Sequence, residues 1–188
     1  VATLQRAPVN AIDDAWLARL DEILTRVERA EGVSALLVRS SERIFSAGAD
    51  LELMRSRFDT PQGRERMVGF VREIQRVYAR LEGLPQVTIA ELGGAALGGG
   101  FELALACDLR IAVDHARFGM PEVRLGIPSV IEAALLPRLM GAGRARWRQV
   151  GSDRADPRRV FVRRHTLAGD PHGDPAVGHA RDHHRDAH

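Results

Sequence analysis

Two glutamates twenty residues apart, Glu102 and Glu122, stand where a carboxylate needs a reason to be. Glu102 sits in Phe101-Glu102-Leu103-Ala104-Leu105-Ala106, an apolar run that reads as a short buried helix. Burying an acid there is costly. A carboxylate near the start of a helix either complements the positive end of the dipole or does acid–base work. Just before it come Gly98-Gly99-Gly100. Three glycines at a helix start let a ligand reach the backbone and leave amide N–H groups aimed at it, which suits a phosphate or a developing oxyanion. The same glycines would also serve a plain tight turn. A dinucleotide-binding G-x-G-x-x-G is not present, since Gly98 and Gly100 would require glycine where Leu103 stands. Glu122, in Phe118-Gly119-Met120-Pro121-Glu122-Val123, reads by itself as a surface glutamate.

The elements around these residues alternate between helix and strand. Ile12, Trp16, Leu20, Ile23, Leu24 and Val27 recur at helical spacing within an amphipathic segment from Ile12 to Glu31, which Gly32 ends. Val33 to Val38 reads as a buried strand, followed by the loop Phe45-Ser46-Ala47-Gly48-Ala49-Asp50-Leu51. Asp50 there suits turn geometry. Pro61 and Gly63 read as a turn before a second long helix carrying Met67, Phe70, Val71, Ile74, Val77, Tyr78 and Leu81. Strands are expected at Val87 to Ala90 and Leu109 to Val113, with the glycine-rich stretch and its helix between them. The pattern predicts an α/β fold with largely parallel strands.

Three segments in order, Phe45 to Leu51, Gly98 to Glu102 and Phe118 to Glu122, resemble the signature segments of the enoyl-CoA hydratase/isomerase (crotonase) superfamily, over roughly Val1 to Arg146. The resemblance implies a crotonase-like (ClpP/crotonase) spiral of strand–strand–helix units. It implies that the backbone N–H groups of Ala49 and Gly99 form an oxyanion hole for the thioester carbonyl of an acyl-CoA. It places Ala47 where the backbone meets the CoA adenine, and Gly48, Asp50, Leu51, Gly98, Pro121 and Ser129 in the substrate-binding segments. Glu102 and Glu122 match the two catalytic glutamates of the hydratases, Glu102 activating water and Glu122 delivering the proton. No metal or cofactor is implied beyond the coenzyme A of the substrate, and family members assemble as homotrimers or dimers of trimers. The best-known hydratases carry a glycine-rich turn after the second glutamate; here Ser129 replaces its first glycine, and Glu132 comes next as a third acid or a helix-face carboxylate.

The chain has 188 residues, 45% hydrophobic and 28% charged, enough for one domain with a real core. All 27 basic residues are arginine, which rules out Schiff-base lysine chemistry and a P-loop lysine in this sequence. The net charge of +2 gives no argument for nucleic acid, and no run approaches a membrane span. The single cysteine, Cys107, forbids an internal disulfide, fits a cytoplasmic setting, and reads as a packed thiol. Residues 147–188 are rich in Arg, His, Asp, Gly and Pro, and the expectation is a poorly packed tail. His184 and His188 have helical metal-ligand spacing, but this composition favours no metal site. Because family members continue with helices that close the acyl pocket, a truncation or a frame shift near Trp147 is expected. The sequence leaves three functions open: a 2-enoyl-CoA hydratase, an enoyl-CoA Δ-isomerase, or a non-catalytic acyl-CoA-binding remnant.

Overall fold

The computed structural model describes residues 1–122 and 161–162. Strands β1 (Ala2–Leu4), β2 (Ala35–Ser40), β3 (Val87–Leu92) and β5 (Leu109–Ala112) lie side by side in parallel, and β7 (Phe161–Val162) pairs antiparallel with β5, within the segment expected as a tail. β4 (Ala96–Leu97) and β6 (Phe118–Gly119) form a second, two-stranded parallel sheet. Single parallel bridges extend that second ladder, Ser46 to Ala96 and Ile12 to Ala49. Each turn of the chain therefore gives one strand to the first sheet and one short strand or single bridge to the second before a helix returns it. This is the strand–strand–helix repeat that the resemblance implies. Parallel ladders bring the C-terminal ends of their strands to one side, where ligands of α/β folds gather.

The helices are α1 (Asp14–Arg29), α2 (Leu51–Phe58), α3 (Pro61–Glu82) and α4 (Gly99–Ala106). The expected apolar stripes of α1 and α3 are the ones that pack: Leu20 and Leu24 are buried with Leu17, and Met67, Phe70, Ile74, Val77, Tyr78 and Leu81 join the same core as Leu36, Val38, Ala90 and Leu92. Pro61 and Gly63 do not form a turn. They open α3, with Thr60 as its N-cap accepting from the Gly63 N–H at 3.0 Å. Proline suits that place because the first helical N–H has no partner to lose. Among the described residues, no helix is long and apolar enough to cross a membrane.

Cys107 comes directly after α4 and is fully buried. Desolvation pushes its thiol up to about 12. The thiolate is the reactive form, so this sulfur is protected twice over. We expect no alkylation of Cys107 by iodoacetamide at pH 8 in the native protein and complete alkylation in denaturant, read by intact mass; native modification would contradict the buried placement.

Candidate active site

The site is assembled where three short bridged segments of the second ladder end. After Ser46 the chain turns through Gly48 (φ +89°) to Ala49 and Asp50. After β4 it turns through Gly98 (φ +50°) into α4. After β6 it reaches Pro121 and Glu122. The three ends meet. A Cβ built on Gly48 would lie 2.8 Å from the Leu97 carbonyl oxygen and 3.1 Å from the Gly99 nitrogen, and one on Gly99 would lie 3.9 Å from the Ala49 nitrogen. A Cβ on Gly98 would lie 3.1 Å from the Glu122 Oε2. Glycine is required at 48 both for its left-handed φ and for this approach of two backbones.

The Ala49 and Gly99 N–H groups are not spent on any backbone partner among the described residues. Their own peptide units are held from the other side. The Gly48 carbonyl accepts from the Ile12 N–H at 2.8 Å. The Gly98 carbonyl accepts from both Phe101 and Glu102 N–H groups, at 2.9 and 3.0 Å. A carbonyl that accepts hydrogen bonds polarises its peptide and strengthens the N–H at the other end. Behind the loops, the Ser46 hydroxyl donates to the Asn10 carbonyl at 2.8 Å and accepts from the Gly48 N–H at 3.1 Å. The Tyr78 hydroxyl, on α3, donates to the Gly99 carbonyl at 2.9 Å. None of these braces was legible as a site feature, because Ser46 and Tyr78 carry the ordinary signals of a loop serine and a core tyrosine.

Glu102 is only 2% exposed, in the first turn of α4. Glu122 is half-buried. Its carboxyl is raised above the usual range first by desolvation and further by the charge of Glu102, against a lowering by its own backbone N–H. The two acids are thus electrostatic neighbours. Both line a cavity of about 710 Å³, together with Ala47, Ala49, Asp50, Leu51, Gly98, Gly99 and Pro121. Its remaining wall is largely apolar: Met54 from α2, and Met67, Phe70, Val71 and Ile74 from α3. Such a space, apolar with a few convergent polar groups, is the ordinary form of a small-molecule site. Gly48 does not line the cavity but shapes it from behind. Ser129, Glu132, His184 and His188 lie outside the described residues. Among the described residues no cluster of His, Cys, Asp and Glu could hold a metal ion.

Asp50 is more than a turn residue. It is the N-cap of α2, its Oδ1 accepting from the Glu52 and Leu53 N–H groups at 3.0 and 3.2 Å, while its Oδ2 takes the Arg6 guanidinium at 2.8 Å. Arg6 carries no functional signal in the sequence. The reason is that one of its partners, Asp50, lies more than forty residues away along the chain, and the other, Asp13, reads only as the start of a helix.

Comparison with known proteins bears on the family and the fold. Residues 1–152 match the family model described as enoyl-CoA hydratase/isomerase. A probable enoyl-CoA hydratase of Bacillus subtilis (strain 168) is 38% identical over 146 residues, which is 77% of this chain and 55% of that protein. Among solved structures, an enoyl-CoA hydratase from Shewanella pealeana ATCC 700345 superposes with a TM-score of 0.74 at 31% identity, covering 82% of this chain and 58% of its own. An enoyl-CoA hydratase/isomerase from Xanthobacter autotrophicus Py2 gives 0.73 at 34%, over 84% and 58%. The chain thus spans a little over half the length of these relatives. Family model, sequence identity and fold agree: the chain belongs to the enoyl-CoA hydratase/isomerase family, with the crotonase fold.

Proposed function

We infer that the chain's chemistry is the addition of water across the 2,3 double bond of a 2-enoyl-CoA thioester. One observation carries the reading: two main-chain N–H groups from separate loops, with no backbone partner among the described residues, lie close together and line, with a pair of carboxyls, one largely apolar cavity. Two N–H donors on the thioester oxygen draw electron density from the double bond and stabilise the enolate; one such donor is typically worth about 10²–10³ in rate. Glu102, as carboxylate, takes a proton from water as the hydroxyl oxygen bonds to C3. The electron pair of the double bond moves onto the thioester oxygen. As it returns, Glu122, as carboxylic acid, gives its proton to C2. The pair ends with the proton on the other acid, and exchange with solvent resets it.

Desolvation and the neighbouring charge both favour a protonated Glu122, which supports this division. Because the acids are coupled, the pair titrates as a unit. The apolar wall from α2 and α3 suits an acyl chain, and no metal or further cofactor enters the scheme.

Incubation of the protein with crotonyl-CoA in H₂¹⁸O tests the reaction. We expect one labelled oxygen in a 3-hydroxyacyl product. Migration of the double bond in a 3-enoyl-CoA without label uptake would assign isomerisation instead, and tight binding of both without turnover would assign a binding role.

A further inference from the structure

Arg6 belongs to none of the three signature segments, yet it ties together the parts that hold Ala49. Its Nη1 donates to the Ala11 carbonyl at 2.7 Å. Its Nη2 reaches the Oδ2 of Asp50 at 2.8 Å and the Oδ2 of Asp13 at 3.0 Å. Each of these aspartates uses its other oxygen to cap a helix. Asp13 Oδ1 accepts from the Trp16 N–H at 2.8 Å at the start of α1, and Asp50 Oδ1 caps α2. Between the two caps runs the bridge of Ile12 and Ala49, whose hydrogen bonds are Ile12 N–H to Gly48 carbonyl at 2.8 Å and Asp50 N–H to Ile12 carbonyl at 2.9 Å. The chain from Arg6 to Asn10 is itself closed on both sides: the Asn10 N–H donates to the Arg6 carbonyl, and the Arg6 N–H donates to the Asn10 Oδ1, both at 2.7 Å. Asn10 is fully buried with φ +48°.

We propose that Arg6 is a positioning residue for the Ala49 amide: its guanidinium locks the caps of α1 and α2 on either side of the Ile12–Ala49 bridge and so fixes the direction of the N–H that Ala49 presents to the cavity. The proposal rests on the thioester reading given above. Arg6 itself borders the cavity, and its guanidinium has two carboxylates and a carbonyl of the fold as its partners. The planar fork is what meets three oxygens at once, which a lysine ammonium does less well. The hydrogen bond from Arg6, and after it that from the Leu53 N–H, also holds the Asp50 carboxyl below the usual range, so the clamp is charged at neutral pH. Small errors in the placement of a donor are expensive in a reaction of this kind, about 10²-fold for a displacement of about 1 Å.

The test uses the full chain and butyryl-CoA with a ¹³C thioester carbonyl, read by difference infrared spectroscopy, beside hydration kinetics on crotonyl-CoA. Wild type is expected to shift the bound carbonyl to lower frequency. Arg6→Met is expected to keep the butyryl-CoA Kd within about threefold, to lose a large part of that shift, and to lower kcat by about 10–100-fold with KM nearly unchanged. Arg6→Lys is expected to restore part of both. A full carbonyl shift and full kcat in Arg6→Met would overturn the proposal. If Arg6→Met does not fold, Asp50→Asn, which keeps a capping oxygen and removes the charge gripped by Arg6, is read by the same two criteria. A wild-type carbonyl that binds without shifting would instead overturn the thioester reading itself.

Discussion

Glu102→Gln and Glu122→Gln are each expected to lower kcat for crotonyl-CoA hydration by about 10²–10⁴-fold, the usual worth of a positioned acid or base, while saturated acyl-CoA binds nearly as before. Both changes preserve shape and remove one proton-transfer step. At 1.36 kcal/mol per tenfold, that is about 3–5 kcal/mol of barrier. Their effects on stability should differ from their effects on rate. The folded state raises the Glu122 carboxyl above its ordinary 4.5, through desolvation first and the charge of Glu102 second. A raised acid binds protons more tightly in the folded than in the unfolded chain, so its ionisation destabilises the fold as pH rises through the shifted value. That cost is absent below the ordinary value and grows as pH rises above it. Glu122→Gln is therefore expected to melt at a higher temperature than wild type near pH 7.5, with the gain shrinking towards pH 4. An inactive and more stable variant is the mark of a group held at a cost for its chemistry. Full activity in either variant, or a Glu122→Gln gain that does not fade on acidification, would contradict the roles given to the pair.

The long elements were legible because each repeats its signal many times. The stripes of α1 and α3, the apolar runs of β2, β3 and β5 and the run of α4, apolar but for Glu102, each carry enough residues for the pattern to decide. The missed elements are short. β4 and β6 have two residues each and β1 has three, and such lengths hold no period. α2 has eight residues, of which none is buried in the core. Its one local signal was Asp50, which reads equally well as a turn residue until the Glu52 and Leu53 N–H groups are seen on it. The cavity wall was hidden for another reason. Met67, Phe70 and Ile74 look like core in the sequence and are core in the structure, but one side of each also faces the cavity. Hydrophobic spacing reports burial and cannot separate a packed wall from one that leaves room beside it. The amide of Ala49 has no side-chain signature at all, so only the resemblance named it, whereas the run of glycines marked the region of the Gly99 amide without singling it out. Arg6 shows the limit of local reading, since its partners come from Asp13 and from a loop more than forty residues away.

Gly48→Ala is expected to damage function more than stability, and Gly32→Ala the reverse. Both glycines have left-handed backbones, φ +89° at Gly48 and φ +75° at Gly32. An alanine in that region costs about 1–2 kcal/mol at either place. Beyond that shared strain the two sites differ. A Cβ at Gly32 meets nothing within 4 Å, whereas at Gly48 it would meet the Leu97 carbonyl and the Gly99 nitrogen at 2.8 and 3.1 Å. These neighbours are backbone, so they cannot swing aside as a side chain would. Relief can come only by moving the loop of Ala49 away from the start of α4, which separates the two N–H groups. Losing one such donor alone costs about 10²–10³ in kcat. Gly48→Ala should therefore lose at least about 10²-fold in hydration beside a stability loss of about 1–3 kcal/mol. Gly32→Ala should lose about 1–2 kcal/mol with kcat unchanged. Urea denaturation and crotonyl-CoA turnover on the same preparations separate the two quantities. Equal stability loss with equal, intact turnover in both variants would mean that the approach of these two backbones does not matter for the reaction. The converging amides would then have to be abandoned as its source of rate.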